Sequence, residues 1–301
     1  MVVHLGVPEL LTLGDPGFPA ELCALAEPPA RLHVLGEVLD WSKCVAVVGT
    51  RRASAQACHF ARRLARELVE AGCAVVSGGA TGIDVASHLG ALEAGGQTAV
   101  VLGTPLARPY PSRNIPVFKQ VLARGCILSE ITDESEQMYP ARFLGRNRLI
   151  AALSQVVVVV QAPLRSGALS TAAHARKLGR TLLAVPDAPW NLRGEGTLKL
   201  LAEGAGICRN SADVLSIAAL GCRARAPERP RRRAKEQKNQ RFDEEGQVIV
   251  SALAERPLAV DQLCEVTGLS ASQVQRVLLM LMLSKDVYED GCGRYVRSDF
   301  P

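Results

Sequence analysis

Four short segments of this 301-residue chain carry residue types that can hold an anion or a nucleobase. The first is Gly49-Thr50-Arg51-Arg52-Ala53-Ser54, directly after the apolar run Cys44–Val48. Glycine lets a ligand approach the backbone, a hydroxyl and a guanidinium can bind phosphate oxygens, and a helix opening at Ser54 presents free N–H groups. The second is Ser77-Gly78-Gly79-Ala80-Thr81-Gly82-Ile83-Asp84, three glycines between an apolar run and a helical stretch. This is a phosphate-cradle composition without the G-x-G-x-x-G spacing or the P-loop lysine. The third, Arg142-Phe143-Leu144-Gly145-Arg146-Asn147-Arg148, sets three arginines, an asparagine and a ring within seven residues. Guanidinium groups neutralise phosphates, and Phe143 can stack on a base, which suits single strands because their bases are free. The fourth is Arg165-Ser166-Gly167-Ala168-Leu169-Ser170-Thr171. Ser166, the Gly167 backbone and Thr171 can together hold an anion at a helix N-terminus.

Each segment also has a plainer reading. Arg51 and Arg52 can be a solvated pair beside a helix cap. The glycines can form a tight turn, with Asp84 in a first helical turn that favours a carboxylate. Phe143 can lie in the core while its arginines face water. No G-x-S-x-G elbow surrounds Ser166 and no Asp-His pair accompanies it, so it is not read as a nucleophile. His88, one turn after Asp84, reads as a packed histidine before a general base.

The elements around these segments form a regular alternation. Cys44–Val48, Cys73–Ser77, Thr98–Leu102, Cys126–Glu130, Val156–Gln161 and Thr181–Val185 read as buried strands. Ser54–Ala71 carries Ala57, Phe60, Ala61, Leu64, Ala65 and Leu68 on one helical stripe. Further helices are expected over Asp84–Ala94 and near 114–124, 145–153, 168–178 and 197–203. Short Val-rich strands alternating with helices predict an α/β, Rossmann-like, doubly wound and mostly parallel sheet. Such sheets bind ligands beyond the carboxyl ends of their strands, where all four segments fall. The predicted organisation is an irregular lead-in over 1–41, a Rossmann-like domain over 42–220 and a disordered linker over 221–241. A small winged-helix domain over 242–301 follows, with helices Glu244–Leu253, Val260–Thr267 and Ala271–Lys285 and a hairpin over Val287–Arg297.

Charge does not by itself favour nucleic acid. The chain carries +5, but residues 222–241 hold nine basic and two acidic residues, so the rest is −2. A case for the main domain must rest on local clusters. No stretch of 18 apolar residues predicts a membrane span, and the N-terminus lacks the pattern of a signal peptide. The nine cysteines show no C-x-x-C pair and no His/Cys zinc spacing. A cytoplasmic protein with small buried thiols, no metal and no cofactor is expected.

Taken in order, the segments carry more than they do singly. Gly49-Thr50-Arg51 comes first, then the 77–84 loop with His88 and Ala91-Leu92, then Tyr110-Pro111 with Asn114 and Leu128-Ser129-Glu130. Phe143 with Arg146-Asn147-Arg148-Leu149-Ile150, Ser166-Gly167 with Thr171-Ala172, Gly179-Arg180 and Val185-Pro186 follow. This series resembles the DNA-processing protein A family (DprA, also called Smf). The resemblance implies a recombination mediator for natural transformation, without enzymatic activity. Such a protein binds incoming single-stranded DNA, helps load the RecA recombinase and forms a homodimer through its Rossmann-like domain. Single-stranded DNA-binding protein is a further candidate partner. Carried over by position, Arg51, Phe143, Arg146, Asn147 and Arg148 would line the DNA pocket. Gly49, Thr50, Gly78, Gly79, Gly82, Ser166 and Gly167 would shape it, and Arg52 and Thr171 complete the candidate set. Replacing Arg51, Phe143 or Arg146 with Ala is expected to weaken binding and leave the fold intact.

The pattern departs from the family at three positions. An acidic residue often stands where Gln161 is, a glycine at Asp187 and an asparagine at Leu198. The first two are expected to alter the pocket floor. The family's N-terminal helical domain is expected to be absent, since about 40 residues precede Cys44. Two other readings stay open. A nucleotide-hydrolysing Rossmann-like enzyme would need a Gly-Gly pair and a Glu in the segment held here by Arg165–Thr171. A winged-helix duplex-DNA regulator would read bases with Ser272, Gln273, Gln275 and Arg276.

Overall fold

The computed structural model describes residues 5–131, 140–217, 244–254, 256–284, 286–290 and 293–298. The expected linker over 221–241 lies outside them. The chain divides into two compact units, Met1–Ala226 and Pro227–Pro301.

Nine strands make the sheet of the first unit. They are β1 (Glu9–Thr12), β2 (Arg31–Gly36), β3 (Cys44–Val48), β4 (Ala74–Ser77), β5 (Thr98–Leu102) and β6 (Cys126–Ser129). β7 (Val156–Val159), β8 (Thr181–Ala184) and β9 (Gly206–Ile207) complete it. Their spatial order is β1-β2-β6-β5-β4-β3-β7-β8-β9. From β6 to β9 every neighbouring pair is parallel. β2 runs antiparallel to β6, and β1 antiparallel to β2. The lead-in is therefore not an irregular segment: it supplies the two strands at one edge of the sheet. Their Leu-rich pieces are short and lie between turn residues, so period alone did not mark them.

Strands β3 to β7 are buried along their whole length, which requires cover on both faces. Among the described residues seven α-helices flank the strands: α1 (Ala55–Glu70), α2 (Ile83–Glu93), α3 (Ile115–Val121), α4 (Pro140–Ala152), α5 (Gly167–Lys177), α6 (Glu195–Ala202) and α7 (Ser211–Leu215). Alternate residues of β3 serve the two layers. Cys44, Ala46 and Val48 pack with Leu149, Ile150, Ala168 and Ala172 of α4 and α5. Val45 and Val47 pack with Leu64, Leu68 and Ile83 of α1 and α2. Cys44, Cys126 and Cys208 are buried in these layers, as expected of packing thiols. β9 and α7 were not foreseen; both are short, and β9 is exposed.

From β3 the chain winds outward through β4, β5 and β6, then returns to the other side of β3 with β7. Loops leaving β3 and β7 thus diverge, which opens a crevice at the carboxyl edge. α1 and α2 lie backbone to backbone beside it. A Cβ on Gly90 would come within 2.0 Å of the Arg62 carbonyl oxygen.

In the second unit, α8 (Glu244–Ala252), α9 (Val260–Thr267) and α10 (Ala271–Leu283) enclose Ile249, Leu253, Leu263, Val274, Leu278 and Leu281. α9 and α10 meet at 110°, a helix-turn-helix angle. β10 (Val287–Glu289) pairs antiparallel with β11 (Tyr295–Arg297) as the wing. Among the described residues no single helix is long and apolar enough to cross a membrane.

The α1–α2 contact predicts that Gly90→Ala lowers unfolding free energy by about 1–3 kcal/mol, because backbone must move to admit the methyl. Gly145→Ala on α4, where a Cβ meets nothing within 4 Å, should raise it by about 0.5–1 kcal/mol. Denaturant titration of both variants is the check. Equal stabilities would remove the packing argument.

Candidate nucleic-acid interface

All four segments meet around one crevice of about 580 Å³ at the carboxyl edge of β3 and β7. Gly49, Thr50, Arg51 and Arg52 come from the β3 loop, Ala80 and Asp84 from the glycine-rich loop and the start of α2. Phe143, Leu144, Arg146 and Asn147 come from α4, and Arg165, Ser166, Gly167 and Thr171 from the start of α5. A second lobe of about 410 Å³ shares Arg51, Arg52, Ala80, Tyr110, Phe143 and Arg146 and adds Gly78, Thr81, Pro111 and Arg113. The third segment therefore acts from a helix and not from a loop.

Short bonds hold the loops together. The Thr50 amide donates to the Gln161 carbonyl at 2.7 Å, and the Ile83 amide to the Thr50 carbonyl at 3.4 Å. Gly82 makes this approach possible. Its φ is +82°, and a Cβ there would lie 2.3 Å from the Thr50 carbonyl oxygen. Ser54 and Ser166 cap α1 and α5, accepting from Ala57 N at 3.1 Å and Ala168 N at 3.3 Å. The Asn114 amide donates to Gly79 O at 2.8 Å and steadies the glycine loop. Gly79 and Gly82 shape this wall from behind and do not line the crevice.

The rim is cationic and aromatic. The Arg51 guanidinium lies 5.3 Å from the Phe143 ring centre, and the Tyr110 ring lies 5.7 Å from Phe143 at 55°. Arg51, Arg52, Arg113 and Arg165 are exposed. No carboxylate among the described residues pairs with any of the four. Phosphate can thus be met by charges already free, with the N-terminus of α5 beside them. Tyr110 and Arg113 escaped the residue-level reading. They follow Pro109 and Pro111 in a stretch without periodicity, and only the fold brings them to the rim.

The floor is a different chemical object. Arg146 is 5 % exposed. Its guanidinium donates to the carbonyls of Gly78, at 2.7 Å, and Val101, and its Nε to Asn147 Oδ1 at 3.3 Å. Asn147 Nδ2 donates in turn to Gly167 O at 3.0 Å. Asp84 is also buried and accepts from Ala80 N at 3.3 Å. Burial pushes the Asp84 carboxyl up, and the Arg146 charge opposes that. Burial pulls Arg146 down to about 10, so it stays charged at neutral pH. Arg146 and Asn147 therefore line the crevice, but their polar atoms are used on the protein itself. Arg148 leaves the crevice: its Nη2 pairs with Glu130 Oε2 at 2.6 Å.

His88 is packed, not a base. It is fully buried with Nδ1 2.7 Å from Thr98 Oγ1. That hydroxyl gives its one proton to Val75 O at 2.8 Å, so Nδ1 must be the donor. Burial, then the Arg146 charge, pulls His88 down to about 3.

Gln161 and Asp187 also differ from expectation. Neither lines the crevice. Gln161 Nε2 donates to Asp187 Oδ2 at 2.9 Å, while Gln161 Oε1 accepts from Ser54 N at 2.9 Å. The two positions form one hydrogen-bonded pair.

Residues 9–219 match the family described as DNA recombination-mediator protein A. The chain belongs to that family. Residues 227–287 match the DprA winged helix domain, in accord with the three helices and wing. Protein Smf of Synechocystis is 32 % identical over 323 residues, 96 % of this chain and 80 % of the relative. A DNA processing protein DprA assigned to Mycobacterium tuberculosis is 41 % identical over 191 residues, and there the match spans 63 % of this chain and 47 % of the relative. The X-ray structure of DprA from Streptococcus pneumoniae aligns with a TM-score of 0.64 and 34 % identity, over 69 % of this chain and 74 % of that one. A Helicobacter pylori DprA structure described for its single-stranded DNA binding mode gives 0.63 and 32 %, over 71 % of this chain and 98 % of that one. This DprA-family chain thus combines the family's mostly parallel Rossmann-like sheet with a winged helix.

Two outcomes are expected from the floor. Arg146→Met leaves the carbonyls of Gly78 and Val101 without their donor and removes the charge that offsets the burial of Asp84, and should cost about 1–3 kcal/mol of stability. Losing Arg146 is thus expected to lower stability as well as binding, and unchanged denaturation would refute its role in the floor. His88 sets a pH dependence. The unfolded chain takes up its proton near pH 6.5, the folded chain only near 3. Stability is therefore lost as pH falls through that window, by about 1.4 kcal/mol per unit at most. His88→Gln should flatten the slope in denaturant titrations between pH 6.5 and 4.

Proposed function

We propose that the crevice binds single-stranded DNA and that the chain is a recombination mediator, not an enzyme. The observation that carries this is the open rim of Arg51, Phe143 and Tyr110. Phe143 offers a face on which an unpaired base can stack, while Arg51, Arg52, Arg113 and Arg165 meet phosphates. Bases in a duplex are already stacked on each other, so the rim favours single strands. The related H. pylori protein, described for its single-stranded DNA binding mode, supports the reading.

In this role the protein helps load RecA on incoming strands during natural transformation, in the cytoplasm. It works as a homodimer through the Rossmann-like domain, with single-stranded DNA-binding protein as a further partner. The site residues of this function are Arg51, Arg52 and Phe143 for contact, joined at the rim by Arg113 and Arg165. Gly49, Thr50, Gly78, Gly79, Gly82, Ser166, Gly167 and Thr171 provide shape, and Arg146 and Asn147 hold the floor.

Hydrolysis finds little support. Asp84 is the carboxylate that lines the crevice among the described residues, and it is buried against Arg146. Release of free base from nucleoside monophosphates would revive an enzyme reading. Duplex readout by the winged helix is also weakly supported. Gln273 and Arg276 both turn to Glu245, at 2.8 and 2.6 Å. α10 instead exposes Leu279, Met280 and Leu283, whereas base-edge readout needs polar donors.

Gel shifts with single- and double-stranded oligonucleotides of equal length, across a salt series, test the reading. Arg51→Ala should weaken single-strand binding and reduce the salt slope by about 0.7. Phe143→Ala should cost about 1–3 kcal/mol of binding at unchanged stability. A chain ending before residue 221 should keep the single-strand preference. Wild-type affinity in both point variants would overturn the assignment.

A further inference from the structure

The loop leaving β8 presents a tryptophan to solvent that the fold does not use. Trp190 is 85 % exposed, whereas Trp41, the other tryptophan, is buried. An exposed indole offers a broad apolar face with a polar N–H at its edge, and here the display is rigid. Asp187 Oδ1 accepts from Ala188 N at 2.8 Å and from Asn191 Nδ2 at 2.9 Å. Asn191 N donates to Ala188 O at 2.9 Å, and Gly194 N to Asn191 O at 2.8 Å. Gln161 fastens the same carboxylate from the neighbouring strand end. Trp190 thus sits at the top of a turn locked on both sides.

Its position continues the crevice. β8 is the parallel neighbour of β7, so both loops emerge at one edge. The β7 loop runs from Gln161 to Arg165, which lines the crevice. Across the gap, the β8 loop carries exposed Arg193 three residues after Trp190. Asp187, the one acidic residue of 185–194, is turned inward. The solvent side of this loop therefore carries Trp190, Leu192 and Arg193 and no carboxylate.

We propose that Trp190 is a second stacking platform for single-stranded DNA. A strand leaving the crevice past Arg165 lays a base on the Trp190 indole, and Arg193 takes a phosphate beside it. This rests on the single-strand reading above and extends it from one crevice to a path along the sheet edge.

The test uses the full chain with oligothymidylates of about 4 and about 12 nucleotides, a range set by known single-strand site sizes. Trp190→Ala should leave the short oligomer's affinity unchanged and weaken the long one roughly 5- to 100-fold. Trp190→Phe should recover most of the loss. The long oligomer should quench the tryptophan emission of the wild type, with buried Trp41 as the steady background, and spare that of Trp190→Phe. Unchanged affinity of Trp190→Ala for the long oligomer, with no quenching, overturns the platform. If Arg51→Ala is weakened in the same assay, the crevice stands without it. Loss of self-association in Trp190→Ala at unchanged DNA affinity would assign the indole to a contact between copies and overturn the proposal too. A wild type that binds neither oligomer removes both the platform and the crevice reading.

Discussion

The crevice depends on one guanidinium. Arg146 stands in its floor and donates to the carbonyls of Gly78 and Val101, at the ends of two adjacent strands, while Asn147 beside it reaches Gly167. A single helical residue pair thus gathers the β4, β5 and α5 termini. Buried Asp84 shares this floor, and its charge partly offsets the burial of the guanidinium. The glycine loop must also give way: a Cβ on Gly78 would lie 2.5 Å from the Arg146 nitrogens. Gly78 thus follows from this guanidinium, as Gly82 follows from the approach of Thr50.

Floor and rim therefore divide the arginines by environment. Arg146 is desolvated and committed to the protein, where it fixes shape. Arg51, Arg52, Arg113 and Arg165 stay hydrated and open, where they can exchange water and counterions for phosphate. Net charge is blind to this division. The +7 of residues 222–241 dominates the total, yet the rim is built from a part of the chain whose sum is negative. What matters is which charges are left unpaired at the edge of the sheet.

Much of this was legible from the residues. Buried strands show as Val-rich runs and α1 as an apolar stripe, so the parallel sheet and the edge carrying the loops could be placed. Arg51 and Ser166 were found because their segments sit where a strand passes to a helix, and Phe143 because it is the ring within a cluster of arginines. What sequence did not separate is exposure. Arg146 and Arg148 stand one helical step either side of Asn147 in a basic cluster, yet one is interred and the other pairs with Glu130. Which way each side chain turns is decided by partners 18 to 68 positions away. The edge strands β1 and β2 were missed for a related reason: β2 pairs with the distant β6, β1 only with β2, and the local pattern of both is weak.

The bond between Gln161 and Asp187 ties together two positions far apart in sequence. A carboxylate at 161 would face that of Asp187 beside a buried strand end, where one of the two must take up a proton or withdraw. The neutral amide meets no such barrier and supplies the donor that the carboxylate needs. Gly194 narrows the choice further, since a Cβ there would lie 2.3 Å from that of Asp187. The locked turn that holds Trp190 aloft is thus a joint property of positions 161, 187 and 194, and a change at one of them is felt at the other two.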